Sequence, residues 1–209
     1  IIYMIIQKCE IQMEDLTNYI EKNLTNQTKI VNGLFEHKNE IKKIVELLIK
    51  ARNNGKIIYT MGNGGSSSTA SHFSSDLLKT AIMKKEKRFK SISLVDNFSV
   101  ISAWSNDDSY DNIFSEQIEN FVTEGDIVIC FSGSGKSKNI VKALQMAKKK
   151  GATCIGITGM TGGMVKKICD VTILIVSNDM LTIESIHLML CHCFISVLRN
   201  MGKPLFDYT

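Results

Sequence analysis

Ile57-Ile-Tyr-Thr-Met-Gly-Asn-Gly-Gly-Ser-Ser-Ser68 is the stretch on which the fold turns. Residues 57–61 form a short, nearly continuous apolar run, the pattern of a strand covered on both faces. Gly62-Asn63-Gly64-Gly65 breaks it, and a helix is predicted over 66–80. Strand, glycine turn and helix in that order open a parallel crossover unit. The glycines let the backbone turn sharply and come close to a ligand. The helix start adds unpaired N–H groups at the positive end of its dipole, and ligands of open parallel sheets sit at this carboxyl edge. Alone, a Gly-x-Gly-Gly loop is a weak signal, and a helix cap with a tight turn is its other reading.

The same rhythm recurs downstream. Apolar runs at 91–94, 127–131, 153–158 and 171–176 each lead into a turn, with helices predicted at 100–105, 110–121, 138–149, 163–168 and 181–201. Five such strands, with connections long enough for crossover helices, predict a three-layer α/β domain around a parallel five-stranded sheet over residues 56–209. Upstream, Leu16, Tyr19, Ile20, Leu24, Thr28 and Val31 keep a rough helical spacing. Ile41, Ile44, Val45, Leu48 and Ile49 keep a cleaner one after a break at 33–39. Residues 13–55 therefore read as helices for packing or oligomerisation, and 1–12 as an extension without an assigned role.

Composition narrows the function classes. Of 209 residues 44% are apolar, enough for a sizeable core and too many for disorder. A balance of 25 Lys+Arg against 21 Asp+Glu is too mild to argue for nucleic acid, and no membrane partner is expected. The run Lys84-Lys-Glu-Lys-Arg-Phe-Lys90 reads as a solvated loop, or as a positive rim that helps draw in a phosphorylated substrate or contacts another subunit. The longest apolar stretch, 188–198, is interrupted by His192 and Ser196 and falls short of the roughly 20 residues of a spanning helix. The opening Ile-Ile-Tyr-Met-Ile-Ile lacks the basic start and length of a secretory signal. With six cysteines in no paired ligand spacing, the thiols are predicted reduced and the protein cytoplasmic.

A second loop repeats the device after the third strand. Ser132-Gly-Ser-Gly-Lys-Ser137 offers three hydroxyls and several exposed N–H groups, a nest suited to a phosphate monoester. It is no nucleotide loop, because Cys130 stands where that motif needs its first glycine, and no dinucleotide fingerprint follows Gly62. No nucleotide or redox cofactor is expected. Two hydroxyl-rich loops at neighbouring strand ends suit a sugar phosphate.

Proton chemistry has few candidates. His72 and Asp76 lie four residues apart on one face of the helix that the first loop opens. The last helix brings Glu184, His187 and His192, with Glu184 and His192 on one broad side. His72, Asp76, Glu184 and His192 are acceptable both as an acid–base set and as zinc ligands. His37 reads as surface. A structural pair that merely holds the helix is the other reading of His72 and Asp76.

In order along the chain stand Tyr59-Thr-Met-Gly-Asn-Gly-Gly-Ser66, Ser71-His-Phe-Ser-Ser-Asp-Leu77, Ser105-Asn-Asp-Asp-Ser-Tyr-Asp-Asn-Ile-Phe114, Phe131-Ser-Gly-Ser-Gly-Lys-Ser-Lys-Asn139 and Leu181-Thr-Ile-Glu-Ser-Ile-His187. Together they resemble the phosphoheptose isomerase branch of the sugar isomerase (SIS) domain family, over roughly 14–200. The resemblance implies interconversion of sedoheptulose 7-phosphate and D-glycero-D-manno-heptose 7-phosphate through an enediol(ate). It implies substrate binding by Asn63, Ser66, Asn97, Ser132, Gly133, Ser134 and Ser137, with the three second-loop serines on the phosphate. It further implies an acid–base pair of Asp76 and His192, completed by His72 and Glu184, zinc at that cluster in some members, and a homotetramer with shared sites. Asp76 replaces the family's usual glutamate, Glu184 its glutamine, Asn97 its aspartate and Gly133 its common threonine. Those departures keep open an isomerase of another sugar phosphate, and a non-catalytic binding or adaptor protein.

Overall fold

The computed structural model describes the backbone of residues 2–207 and the side chains of residues 15–207. The chain divides into two compact units, Ile1–Glu36 and His37–Thr209. The first is essentially one helix, α1 (Ile2–Gly33), leading into a 3-10 turn at Leu34–His37. On α1, Leu16, Tyr19, Ile20 and Leu24 are all exposed.

The second unit opens with α2 (Lys38–Asn53), whose buried Ile44, Val45, Leu48 and Ala51 form the predicted stripe. Helix α2 packs on the sheet, touching its first and last strands in sequence, so it belongs with the α/β body. Then alternate β1 (Ile57–Gly62), α3 (Gly65–Leu78), β2 (Lys90–Ser93), α4 (Phe98–Asp107), α5 (Ser115–Phe121), β3 (Ile127–Ser132), α6 (Lys138–Lys149), β4 (Thr153–Gly159), α7 (Val165–Ile168), β5 (Val171–Ile175) and α8 (Met180–Asn200). The helix predicted over 110–121 is split: a turn at Tyr110–Asn112, started by the Ser109 hydroxyl accepting from Asp111 N–H, precedes α5.

All pairings are parallel, and the strand order is β2-β1-β3-β4-β5. Strand β3 is buried at every position and β1 and β4 at nearly every one, while edge strands β2 and β5 alternate. That is the burial expected where helices cover both faces at the centre and fewer neighbours cover the rim. On one face Val128, Cys130 and Cys154 of the sheet share a core with Ile118 of α5 and Ile140 and Leu144 of α6. The other is filled by α3 and α8, where Phe73 meets Phe131 and Phe194 edge-on or tilted, at 6.3 and 6.0 Å.

Two expectations change. Helix α8 runs 21 residues and is long and apolar enough to cross a membrane by length and composition, contrary to the reading of 188–198. His192 and Ser196 interrupt the apolar run, yet the mean hydropathy of the helix as a whole stays high. Half of the stretch is buried here against α3, α2 and β4. The basic run lies at the amino end of β2, the edge opposite the glycine loops, so it forms no rim for their ligand. Some of its side chains make local contacts. Glu86 pairs with the buried Arg52 at 2.9 Å, Lys87 Nζ donates to the Asn53 carbonyl, and Arg52 stacks on Phe89.

Candidate active site

The chain steps outward from β1 to β2 and then returns to β3 on the other side of β1. Loops leaving β1 and β3 therefore diverge and open a crevice at the carboxyl edge. A cleft of about 190 Å³ lies there, lined by Asn63 and Ser66 from the first loop and by Ser132, Gly133, Ser134 and Ser137 from the second. Phe131, Met180 and Glu184 complete its walls. Six of the seven expected substrate-binding residues thus converge. Asn97 does not line this cleft: its side-chain oxygen accepts from Val100 N–H at 3.2 Å and caps α4. An asparagine directly before a helix is a favoured cap, which is what the local sequence specified there.

The second loop is organised by its own hydroxyls. Gly135 N–H donates to Ser132 Oγ at 3.2 Å, Lys136 N–H to Ser134 Oγ at 3.2 Å, and Thr158 Oγ1 donates to the Ser132 carbonyl at 2.6 Å. The resulting concave backbone, at the start of α6, is an anion nest. At Gly133 an added Cβ would overlap the Met180 thioether, so a side chain there has to compete with Met180 for space.

Asn63 is held by three hydrogen bonds. Its Nδ2 donates to Asn139 Oδ1 at 2.9 Å, and its Oδ1 accepts from Asn139 Nδ2 at 2.8 Å and from the Tyr110 hydroxyl at 3.0 Å. Asn139 is only 2% exposed. Neither Asn139 nor Tyr110 was assigned a role from sequence. The available signal was a carboxamide at a helix position whose neighbours, Ile140 and Ala143, are core.

The proton-transfer candidates meet about two to three turns along the helices. Helices α3 and α8 pack side by side, and His192 Nε2 lies 3.0 Å from His72 Nε2. Asp76 Oδ2 lies 3.4 Å from His72 Nε2 and 3.8 Å from His192 Nε2, while its other oxygen accepts from Thr80 Oγ1 at 2.8 Å. Asp76 is mostly covered and both imidazoles are about half exposed. One donor atom from each of the three lies within 4.8 Å of the others, so the group can hold a metal ion.

Glu184 is not among them, which corrects its place in the expected ligand set within one chain. Eight residues of helix separate it from His192, a rise of about 12 Å. Sharing a side of a helix does not mean sharing a height. Its carboxylate instead stands over the first turn of α3, where a Cβ on Gly65 would overlap it. His187 faces the interior: fully buried, 5.8 Å from the Phe131 ring, with neither ring nitrogen hydrogen-bonded among the described residues. Burial lowers its pKa from 6.5 to about 4, so the ring is neutral at pH 7. His37 is tied to the body by its contact with the Leu174 carbonyl, 3.1 Å away, and lies outside the cluster.

Sheet order, paired loops and cleft define an α/β domain of the SIS type. The SIS domain profile matches residues 20–159. Phosphoheptose isomerase 1 of Campylobacter jejuni is 34% identical over 183 residues, 88% of this chain and 98% of the relative. The probable phosphoheptose isomerase of Thermoplasma volcanium is 34% identical over 189 residues, 90% of this chain and 93% of that one. The chain belongs to the SIS domain family, in its phosphoheptose isomerase branch. A solved phosphoheptose isomerase from Francisella tularensis shares the fold, with a TM-score of 0.80 at 24% identity over 90% of this chain and 98% of that one.

Proposed function

We propose that the chain is a ketose–aldose isomerase interconverting sedoheptulose 7-phosphate and D-glycero-D-manno-heptose 7-phosphate. The observation that carries this is the convergence of His72, Asp76 and His192 from α3 and α8, the two helices whose first turns also wall the serine-lined cleft. The relatives named above are a phosphoheptose isomerase and a probable one, each matched over nearly its whole length. From Ser66 to His72 is six residues of helix, about 9 Å. That reach suits a long open-chain phosphosugar better than a triose.

In this reading the second-loop amides and Ser132, Ser134 and Ser137 bind the phosphate, while Asn63 and Ser66 hold sugar oxygens. Asp76 takes the C1 proton of the open ketose, giving an enediolate. His192 moves the proton between O1 and O2, and the protonated Asp76 delivers its proton to C2, giving the aldose and restoring the carboxylate. The shorter side chain at position 76 still reaches both imidazoles, so it does not by itself disable the site. Two imidazoles and a carboxylate are a donor set that would suit zinc, and His72, Asp76 and His192 would hold it. A ligand atom bound to the ion would not carry the proton at the same time, so the proton-transfer roles above belong to the metal-free cluster. When bound, such an ion supplies Lewis-acid stabilisation of developing oxygen charge. A role for Glu184 at that ion would need a second subunit.

The reading extends to a homotetramer. On α1, Tyr19 at 66% and Leu24 at 61% exposure leave an apolar stripe that a partner helix would cover. It also extends to the cytoplasm, since Cys130, Cys154, Cys169, Cys191 and Cys193 are free thiols.

The test is sedoheptulose 7-phosphate in deuterated water, followed by NMR for aldose and for deuterium at carbon. Turnover with deuterium uptake, lost in His192→Ala, is expected. Full activity in that variant would remove His192 from the mechanism. Turnover of a different phosphosugar alone would change the substrate and keep the site. Binding without deuterium uptake would leave a binding module.

A further inference from the structure

An asparagine in a ligand loop can offer its carbonyl or its amine, and the two suit opposite ligand atoms. Here the choice is made by the protein. Ile140 N–H donates to Asn139 Oδ1 at 2.9 Å, and a backbone N–H can only donate. That fixes the Asn139 oxygen, so the nitrogen facing it belongs to Asn63 and the Asn139 nitrogen faces Asn63 Oδ1. The Tyr110 hydroxyl takes the second acceptor position on Asn63 Oδ1. An amide oxygen accepts two hydrogen bonds and an amide nitrogen donates two. Asn63 is thus left with one N–H, on a side chain that lines the cleft.

We propose that Asn139 and Tyr110 are positioning residues that lock the Asn63 amide, so that it meets the bound phosphosugar only as an N–H donor. This deepens the isomerase reading and rests on it. A carbonyl turned toward a phosphate or an alkoxide would repel it, whereas an N–H is attracted. A residue already held in the binding orientation also loses little freedom on association. The lock ties the two loops together, because Asn63 follows β1 and Asn139 sits in the first turn of α6, just beyond the second loop.

Purified full-length protein is assayed with sedoheptulose 7-phosphate as wild type, Asn139→Ala, Tyr110→Phe and Asn139→Asp. For Asn139→Ala we expect KM raised about tenfold with kcat within about threefold, and for Tyr110→Phe KM raised about threefold. In Asn139→Asp the carboxylate cannot donate to Asn63 Oδ1, but the protonated acid can. Its KM penalty relative to wild type at the same pH should therefore shrink as pH falls from 8 to 5.5. Unchanged KM in Asn139→Ala and Tyr110→Phe, or an Asn139→Asp penalty that ignores pH, overturns the lock. If Asn139→Ala does not fold, the half-exposed Tyr110→Phe decides the matter. A wild type inactive on this sugar overturns the isomerase reading instead. The lock is then read without substrate, from the Asn63 side-chain N–H pair by 15N NMR. One slowly and one rapidly exchanging proton, both rapid in Asn139→Ala, support it, and two rapid protons in the wild type overturn it.

Discussion

Gly135→Ala tests how the second loop is built. Gly135 sits at φ +64°, where an alanine pays about 1–2 kcal/mol for its backbone conformation. Its Cβ would also lie 2.5 Å from the Gly162 carbonyl carbon and 3.0 Å from Thr158 Oγ1. Neither neighbour is free to retreat: Gly162 N–H is bonded to the Gly159 carbonyl at 2.9 Å, and Thr158 Oγ1 to that of Ser132. Overpacking against such groups costs about 1–3 kcal/mol more, for a total of about 2–5 kcal/mol. Gly55→Ala is the internal control, with φ +66° and nothing nearer to a new Cβ than Lys90 Nζ at 3.9 Å. It should pay the backbone cost of about 1–2 kcal/mol alone. Urea unfolding of both variants should show Gly135→Ala less stable than Gly55→Ala by about 1–3 kcal/mol. Phosphosugar affinity should fall in Gly135→Ala only. Equal stabilities would refute the claim that the Gly162 carbonyl, rather than φ alone, demands glycine at 135.

Two more outcomes follow from the site and the core. His187 is held neutral by burial, its pKa depressed from 6.5 to about 4. Its contribution is fully present above pH 6.5 and is lost as pH falls toward 4, because the unfolded chain takes up the proton first. The loss amounts to about 3 kcal/mol at most. Urea unfolding at pH 7 and pH 4.5 should show it, and His187→Leu should flatten the difference; an equal loss in that variant would assign the acid sensitivity elsewhere. Zinc added to chelator-treated protein should bind by calorimetry, and His72→Ala and Asp76→Asn should each weaken binding at least about tenfold. Undiminished affinity in both would move the metal away from this cluster.

The parts legible in sequence were those fixed by local periodicity. Residues 57–61, 127–131 and 153–158 are apolar at adjacent positions because the sheet is covered on both sides there, and the observed strands fall on them. The glycine–serine turns were equally visible, since backbone geometry at a strand end restricts residue type within a few positions. The split of 110–121 was not visible, because both halves carry helix-compatible residues and the break between Asn112 and Ser115 has no glycine or proline to mark it. Glu184 shows the limit of reading angle without height. Its place around α8 is what the spacing predicts, yet its place along α8 sets it about 12 Å from His192.

Sequence by itself determined the parallel α/β architecture and the two glycine–serine turns, and it narrowed the candidates for proton transfer to a few residues, because each is encoded in spacing within a single element. Only the tertiary structure decided which of those residues share a site. The parallel packing of α3 against α8 brings His72 and His192, 120 residues apart, to 3.0 Å. A part-buried pair of carboxamides joins the first loop to the start of α6, 76 residues further along the chain. Contacts of that kind depend on how whole helices and strands stack on one another, and no local pattern of residues carries that information.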